Sequence, residues 1–224
     1  MSISLVFFII LFAAFCHASW SAIVKKSRNS LAIMAFTSII EIIVFLPLVF
    51  FVPFPTVDIW YFLIATTTLH GFYRYSVIAS YNFTDLSFAY PIARGGSCFI
   101  IGVISLFLLS NNISFFGIIG ILVTCLGLFM ISFMSAKKFN QKGFLLAILT
   151  AVLIATYTII DGIGVRNTEN AFTYIFWMLL LNGIPILIYA LISKNGFRKK
   201  NTYSLIEGAS AGVLAILGYG LVVW

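Results

Sequence analysis

The chain has 224 residues, of which 62% are hydrophobic and only 8% charged, with a mean hydropathy of +1.13 and a formal charge of +7. A soluble domain carries about 25% charged residues, so this composition excludes a water-solvated domain and implies a chain built for lipid. Nucleic-acid binding needs a basic patch clear of the bilayer, and runs of about 20 apolar residues leave little room for one, so no nucleic-acid partner is expected.

Eight apolar runs predict eight membrane-spanning helices, at about 3–24, 31–53, 59–80, 86–109, 113–134, 143–165, 171–192 and 203–224. Barrel strands would show alternating segments of ~10 residues, whereas these runs are apolar throughout. The fold class read from the sequence is therefore an all-α, polytopic membrane protein. The first run starts "MSISLVFF", without a basic segment before it, and is too long for the apolar part of a signal peptide; it reads as a retained helix.

Loop charge sets the expected orientation. The connections after helices 1, 3, 5 and 7 hold Lys25, Lys26, Arg28, Lys137, Lys138, Lys142, Lys194, Arg198, Lys199 and Lys200, against Arg166 alone after helices 2, 4 and 6. Positive residues stay on the cytoplasmic side. The odd-numbered loops are thus expected in the cytoplasm and the N-terminus outside, in a cell inner membrane. Contact with anionic lipid also suits the net charge.

Cys16, Cys98 and Cys125 all fall within spans and show no CxxC spacing, so neither a disulfide framework nor a metal site is expected. No nucleotide-binding P-loop occurs and no cofactor is implied. Three intramembrane enzyme signatures are also missing. "GGSC" at Gly95 lacks the Gly-Ser-Gly order of a rhomboid-like nucleophile turn, "DGIG" at Asp161 is not GxGD, and H-E-x-x-H is absent. The chain is not expected to be an enzyme.

An internal repeat points to transport. "HASWSAIVKK" in helix 1 aligns with "IATYTIIDGI" in helix 6 at an offset of 137, placing Ala18 on Ala155, Ser19 on Thr156, Trp20 on Tyr157 and Ser21 on Thr158. A weaker match at an offset of 147 places Gly71 on Gly218 and Phe72 on Tyr219. A five-helix unit is odd, so its second copy crosses the membrane inverted, and inverted repeats bind substrates near the midplane between halves.

Three stretches, "HASWSAIVKKS", "AYPIARGG" and "ATYTIIDGIGVR", occur in the order and helices in which EamA-type members of the drug/metabolite transporter superfamily carry similar motifs. The chain resembles that family over helices 1 to 6. Ser21 departs from it, since relatives with this helix 1 motif often have Asn there. The resemblance implies ten helices in two inverted five-helix repeats. Here the first repeat would be residues 1–134 and the second 143–224, with helices 6 to 8 present and the chain truncated after helix 8.

Ionisable residues inside the runs are the candidate site. A charge at a helix centre costs about 2.5–3.5 kcal/mol on insertion scales and needs a partner or a polar cavity. At ~1.5 Å per residue, Arg94 and His17 lie about 5 Å and Arg74 about 7 Å to the cytoplasmic side of the midplane, with Glu41 and His70 near it. Tyr90, Arg94 and Ser97 share one face of helix 4, His17, Trp20 and Ser21 one face of helix 1, and His70, Tyr73 and Arg74 one face of helix 3. A guanidinium beside aromatic rings suits an organic substrate with a carboxylate or phosphonate group. The substrate-binding candidates are Arg94, Tyr90, His17, Trp20, His70, Tyr73 and Tyr157, the counterpart of Trp20. Glu41, Asp161 and Arg74 are candidates for coupling or gating.

Structural alternatives exist for each. Arg94 could pair with Glu41, Arg74 could snorkel to the headgroups, and the histidines could make interhelical hydrogen bonds. Asp85 suits a cap on helix 4, and Pro91 should kink it. Gly95 and Gly102, Gly120 and Gly127, and Gly208 and Gly212 suit close helix contacts. The functional expectation is a membrane transporter that moves a small organic metabolite, anionic or zwitterionic, by alternating access. The alternative is a non-transporting scaffold or an inactive transporter fragment. The partners are the small-molecule substrate and the bilayer, with any homo-oligomer left open.

Overall fold

The computed structural model describes residues 3–107, 114–135, 139–193 and 202–223. Lys137, Lys138, Lys194, Arg198, Lys199 and Lys200, on which much of the orientation reading rests, lie outside the described residues, as does Trp224. The ordered elements are helices: α1 (Ile3–Lys26), α2 (Ser30–Leu48) with a 3-10 turn (Val49–Phe51), α3 (Val57–Phe83), α4 (Leu86–Phe107), α5 (Phe115–Ser135), α6 (Gln141–Arg166), α7 (Ala171–Leu181), α8 (Ile184–Ile192) and α9 (Thr202–Val223).

Local chemistry fixes several ends. The Asn29 side chain accepts from the Ala32 N–H at 3.1 Å and starts α2, and Asn170 accepts from Phe172 at 2.9 Å and starts α7. At the start of α4, the N–H groups of Phe88 and Ala89 donate to the backbone carbonyl of Asp85, so this residue serves through its main chain. The helix runs on through Pro91, whose missing N–H would have bonded Ser87.

Among the described residues seven helical stretches are long and apolar enough to cross a membrane, so the protein is a polytopic helical membrane protein. The expected third span is not among the seven. At 27 residues α3 has the length, but Asp58, three consecutive threonines, His70 and Arg74 dilute its apolar character. The run at 171–192 also differs from expectation, because it is two helices. Pro185 has no N–H to donate to the carbonyl four residues back and its ring crowds that turn, so the helical hydrogen-bond ladder is interrupted at Asn182 and Gly183 and α7 parts from α8.

The distribution of polarity is reversed relative to a soluble core. Phe8, Phe15, Phe116 and Met134 are exposed, whereas Glu41, Asp161, His70 and Arg74 are buried. Large exposed apolar surfaces are rare on soluble monomers and are the normal lipid-facing surface of a membrane bundle.

Residues Met1–Arg74 with Ile160–Trp224 form one compact unit, and Tyr75–Ile159 form a second. In the first, α9 packs along both α1 and α2, and α7 and α8 pack on α2. The α2–α9 seam is close because of two glycines: a Cβ on Gly208 would overlap Phe36, and one on Gly212 would sit 2.7 Å from the Ile40 Cβ. In the second unit α4 packs on α5. Here Ser132 donates to the Phe88 carbonyl at 3.1 Å, and the Cys125 thiol to that of Gly95 at 3.3 Å. The Ser76 and Thr150 hydroxyls, 2.8 Å apart, tie α3 to α6. Gly95 and Gly102 meet Leu128 and Ile121, as expected of close contacts. Gly120 and Gly127 do not: among the described residues nothing lies within 4 Å of a Cβ on either, because α5 turns its Cys125, Leu128 and Ile121 side to α4.

Candidate functional site

The first unit gathers seven of the ten predicted site residues: His17 and Trp20 on α1, Glu41 on α2, His70, Tyr73 and Arg74 on α3, and Asp161 on α6. Its centre is an ion pair. Arg74 Nη2 lies 2.6 Å from Glu41 Oε1 and 2.7 Å from Oε2, while Nη1 donates to the Ser38 hydroxyl at 3.0 Å. Ser38 in turn donates to the Met34 carbonyl, so the guanidinium is anchored to α2 at two points one turn apart. Both ionic side chains are buried, and their closest partners are each other.

Two structural alternatives are corrected by this geometry. The partner of Glu41 is Arg74, not Arg94. Arg74 is 5% exposed, so it does not snorkel to the headgroups. A guanidinium that can pair inside protein avoids the longer reach to water, and the pair relieves two desolvated charges at once.

The break between α7 and α8 belongs to the same place. A Cβ on Gly183 would lie 2.6 Å from the Ser38 Cβ and 2.8 Å from Glu41 Oε2. Only a glycine lets the backbone come this near. The start of α8 consequently faces the Glu41 carboxylate, where the positive end of the helix dipole favours negative charge.

One turn before Arg74, His70 Nδ1 sits 3.0 Å from the Thr66 carbonyl and 3.1 Å from its hydroxyl. Asp161, fully buried, accepts from Tyr174 through Oδ1 at 2.7 Å and from Tyr219 through Oδ2. The sequence offers Asp161 for coupling or gating; its bonds among the described residues run to hydroxyl groups.

An aromatic wall connects these groups. The His70 ring centroid is 5.3 Å from that of Tyr219 and 6.1 Å from that of Tyr73; Tyr73 stacks on Trp20 at 6.4 Å, and His17 meets Trp20 at 6.2 Å and Tyr219 at 6.3 Å. Among the described residues the Trp20 Nε1 and Asn182 Oδ1 atoms are buried and have no hydrogen-bond partner in the chain. Such atoms are costly unless water or a ligand satisfies them.

Tyr90, Arg94 and Tyr157 belong to the second unit. The Arg94 guanidinium carbon lies 5.6 Å from the Tyr90 ring centroid, a cation–π distance, as the shared helix face predicts. Ser97 bonds the Arg94 carbonyl rather than its side chain, and Tyr157 is buried.

The sequence reading missed Ser38, Thr66, Tyr174, Asn182 and Gly183, and it marked Tyr219 only as a repeat match. No family model, curated protein or solved structure matches the chain.

Proposed function

We propose that this protein is a secondary transporter of the inner membrane, of the EamA type within the drug/metabolite transporter superfamily, that moves a small anionic or zwitterionic organic metabolite by alternating access. What carries this reading is the buried set of Glu41, Arg74, His70 and Asp161, drawn from three helices and walled by Trp20, Tyr73 and Tyr219. A scaffold gains little from burying four ionisable groups inside a membrane bundle, whereas a substrate path needs polar groups at depth. The interrupted α7–α8 run beside Glu41 and Ser38 fits the same use, because broken helices in transporters line binding sites.

In this reading His17, Trp20, His70, Tyr73, Tyr90, Arg94 and Tyr157 contact substrate, with Arg94 as the fork for its anionic group. Glu41, Arg74 and Asp161 serve coupling or gating. The loops after helices 1, 3, 5 and 7 of the eight-span sequence reading face the cytoplasm and the N-terminus faces outward. The inverted five-helix repeat is the framework that would alternate. A thermal-shift screen of small organic acids and amino acids on the purified protein tests the reading. At least one compound is expected to stabilise the protein in a saturable way, and to lose that effect with Arg94→Ala. Failure of the whole panel on folded protein would contradict it.

A further inference from the structure

Two buried carboxyl groups stand in the first unit, and their surroundings suit different tasks. Among the described residues Glu41 is held by the Arg74 guanidinium, a donor that cannot accept from a carboxylic O–H. Protonating Glu41 would leave Arg74 charged, dry and without its counter-ion, which is the costly half of a broken buried pair. Asp161 is held instead by the hydroxyls of Tyr174 and Tyr219.

A hydroxyl both donates and accepts. When Asp161 is a carboxylate, both tyrosine hydroxyls donate to it. When it gains a proton, one of them rotates about its C–O bond and accepts from the new carboxylic O–H. The carboxyl group keeps its partners in both forms with no helix moving, which a cage of fixed N–H donors could not achieve. The other ionisable groups facing this cage are accounted for. His70 bonds Thr66 on α3, and His17 of α1 meets the Tyr219 ring edge-on. Arg74 is engaged with Glu41. On the helix that carries Asp161, Arg166 is exposed and bonds the Gly162 carbonyl at 2.6 Å.

We propose that Asp161, between the hydroxyls of Tyr174 and Tyr219, is a reversible proton-binding site, and that Glu41 stays ionised beside Arg74, so that any gating by that pair is a matter of the ion pair and not of a proton. The step forms one O–H bond at an Asp161 carboxylate oxygen with a proton from water, and breaks it when the proton returns to water. As the coupling group of a transporter, Asp161 would take the proton on one side of the membrane and release it on the other. That last role rests on the transporter reading; the proton site does not.

The test exploits aspartate scarcity. The chain has aspartate only at Asp58, Asp85 and Asp161, and the first two are exposed. In the variant Asp58→Asn/Asp85→Asn, carbon-13 placed in aspartate carboxyl groups reports Asp161 alone, with its cage untouched. Infrared difference spectra of this protein in lipid vesicles are recorded across the pH range in which circular dichroism shows constant helix content. A protonated-carboxyl stretch that shifts with the label, grows on acidification and disappears on return is expected, and it persists with Glu41→Gln added. No label-sensitive titrating band, or a band lost with Glu41→Gln, overturns the proposal. A titrating band in a protein that moves no solute keeps the proton site and removes the transporter reading; transport without the band does the reverse.

Discussion

Arg74 and Glu41, 33 positions apart in sequence, join α3 to α2 through one guanidinium nitrogen that bridges both carboxylate oxygens at 2.6 Å and 2.7 Å. Removing one member strands the other as a buried charge. Arg74→Ala or Glu41→Leu alone is expected to cost about 3–5 kcal/mol, whereas Arg74→Met with Glu41→Leu should recover most of that loss. Reversible unfolding in mixed micelles measures the three variants. Additive losses in the double variant would show that the two charges do not act as a pair.

The glycines divide into two groups with opposite expectations. Gly183→Ala pushes a methyl group into Ser38 and Glu41, and should cost about 1–3 kcal/mol. Gly120→Ala meets open space on α5 and should be neutral or stabilising by up to about 1 kcal/mol, since alanine is the better helix former. The same unfolding measurement separates them. Equal effects at both positions would contradict the close approach of the α7–α8 turn to α2.

Much of the helical framework was legible in the sequence, because spans in lipid must be apolar over a fixed length. The α7–α8 break also had a signal, the Asn-Gly-Ile-Pro run from Asn182 to Pro185, which the overall hydropathy of 171–192 masked. The ion pair had none. Periodicity tells which residues share a helix face, so it grouped His70, Tyr73 and Arg74 correctly, but it carries no information about which helix that face meets. On that ground the sequence offered Arg94 as the partner of Glu41 and left Arg74 to the headgroups. Tyr174 and Tyr219 were equally unreadable as partners of Asp161, because a tyrosine within an apolar run looks the same whether its hydroxyl meets a carboxylate or a headgroup.

The proposed orientation rests on the loop charges and is checked by labelling. Asp58, Arg28 and Lys142 are all exposed. In a protein cleared of its native cysteines, a single cysteine at Asp58 should react with an impermeant thiol reagent in intact cells. Single cysteines at Arg28 and Lys142 should react only after the membrane is opened. The reverse pattern would invert the topology.

Arg94 should matter by shape as well as by charge. Arg94→Lys keeps the charge and loses the planar fork that grips two oxygens at once. Affinity for an anionic ligand is expected to fall at least tenfold, about 1.4 kcal/mol, with little change in unfolding stability. Isothermal titration with the best compound from the thermal-shift screen measures this. Unchanged affinity would remove Arg94 from the binding site.

Counterflow into proteoliposomes tests transport most directly. Purified protein is reconstituted, the vesicles are loaded with a stabilising organic acid, and entry of the labelled acid is followed against protein-free vesicles. Saturable entry that is abolished by Arg74→Ala and by Arg94→Ala, with both variants inserted and helical, is the expected result. Entry no faster than into protein-free vesicles, for every acid that binds, would contradict transport.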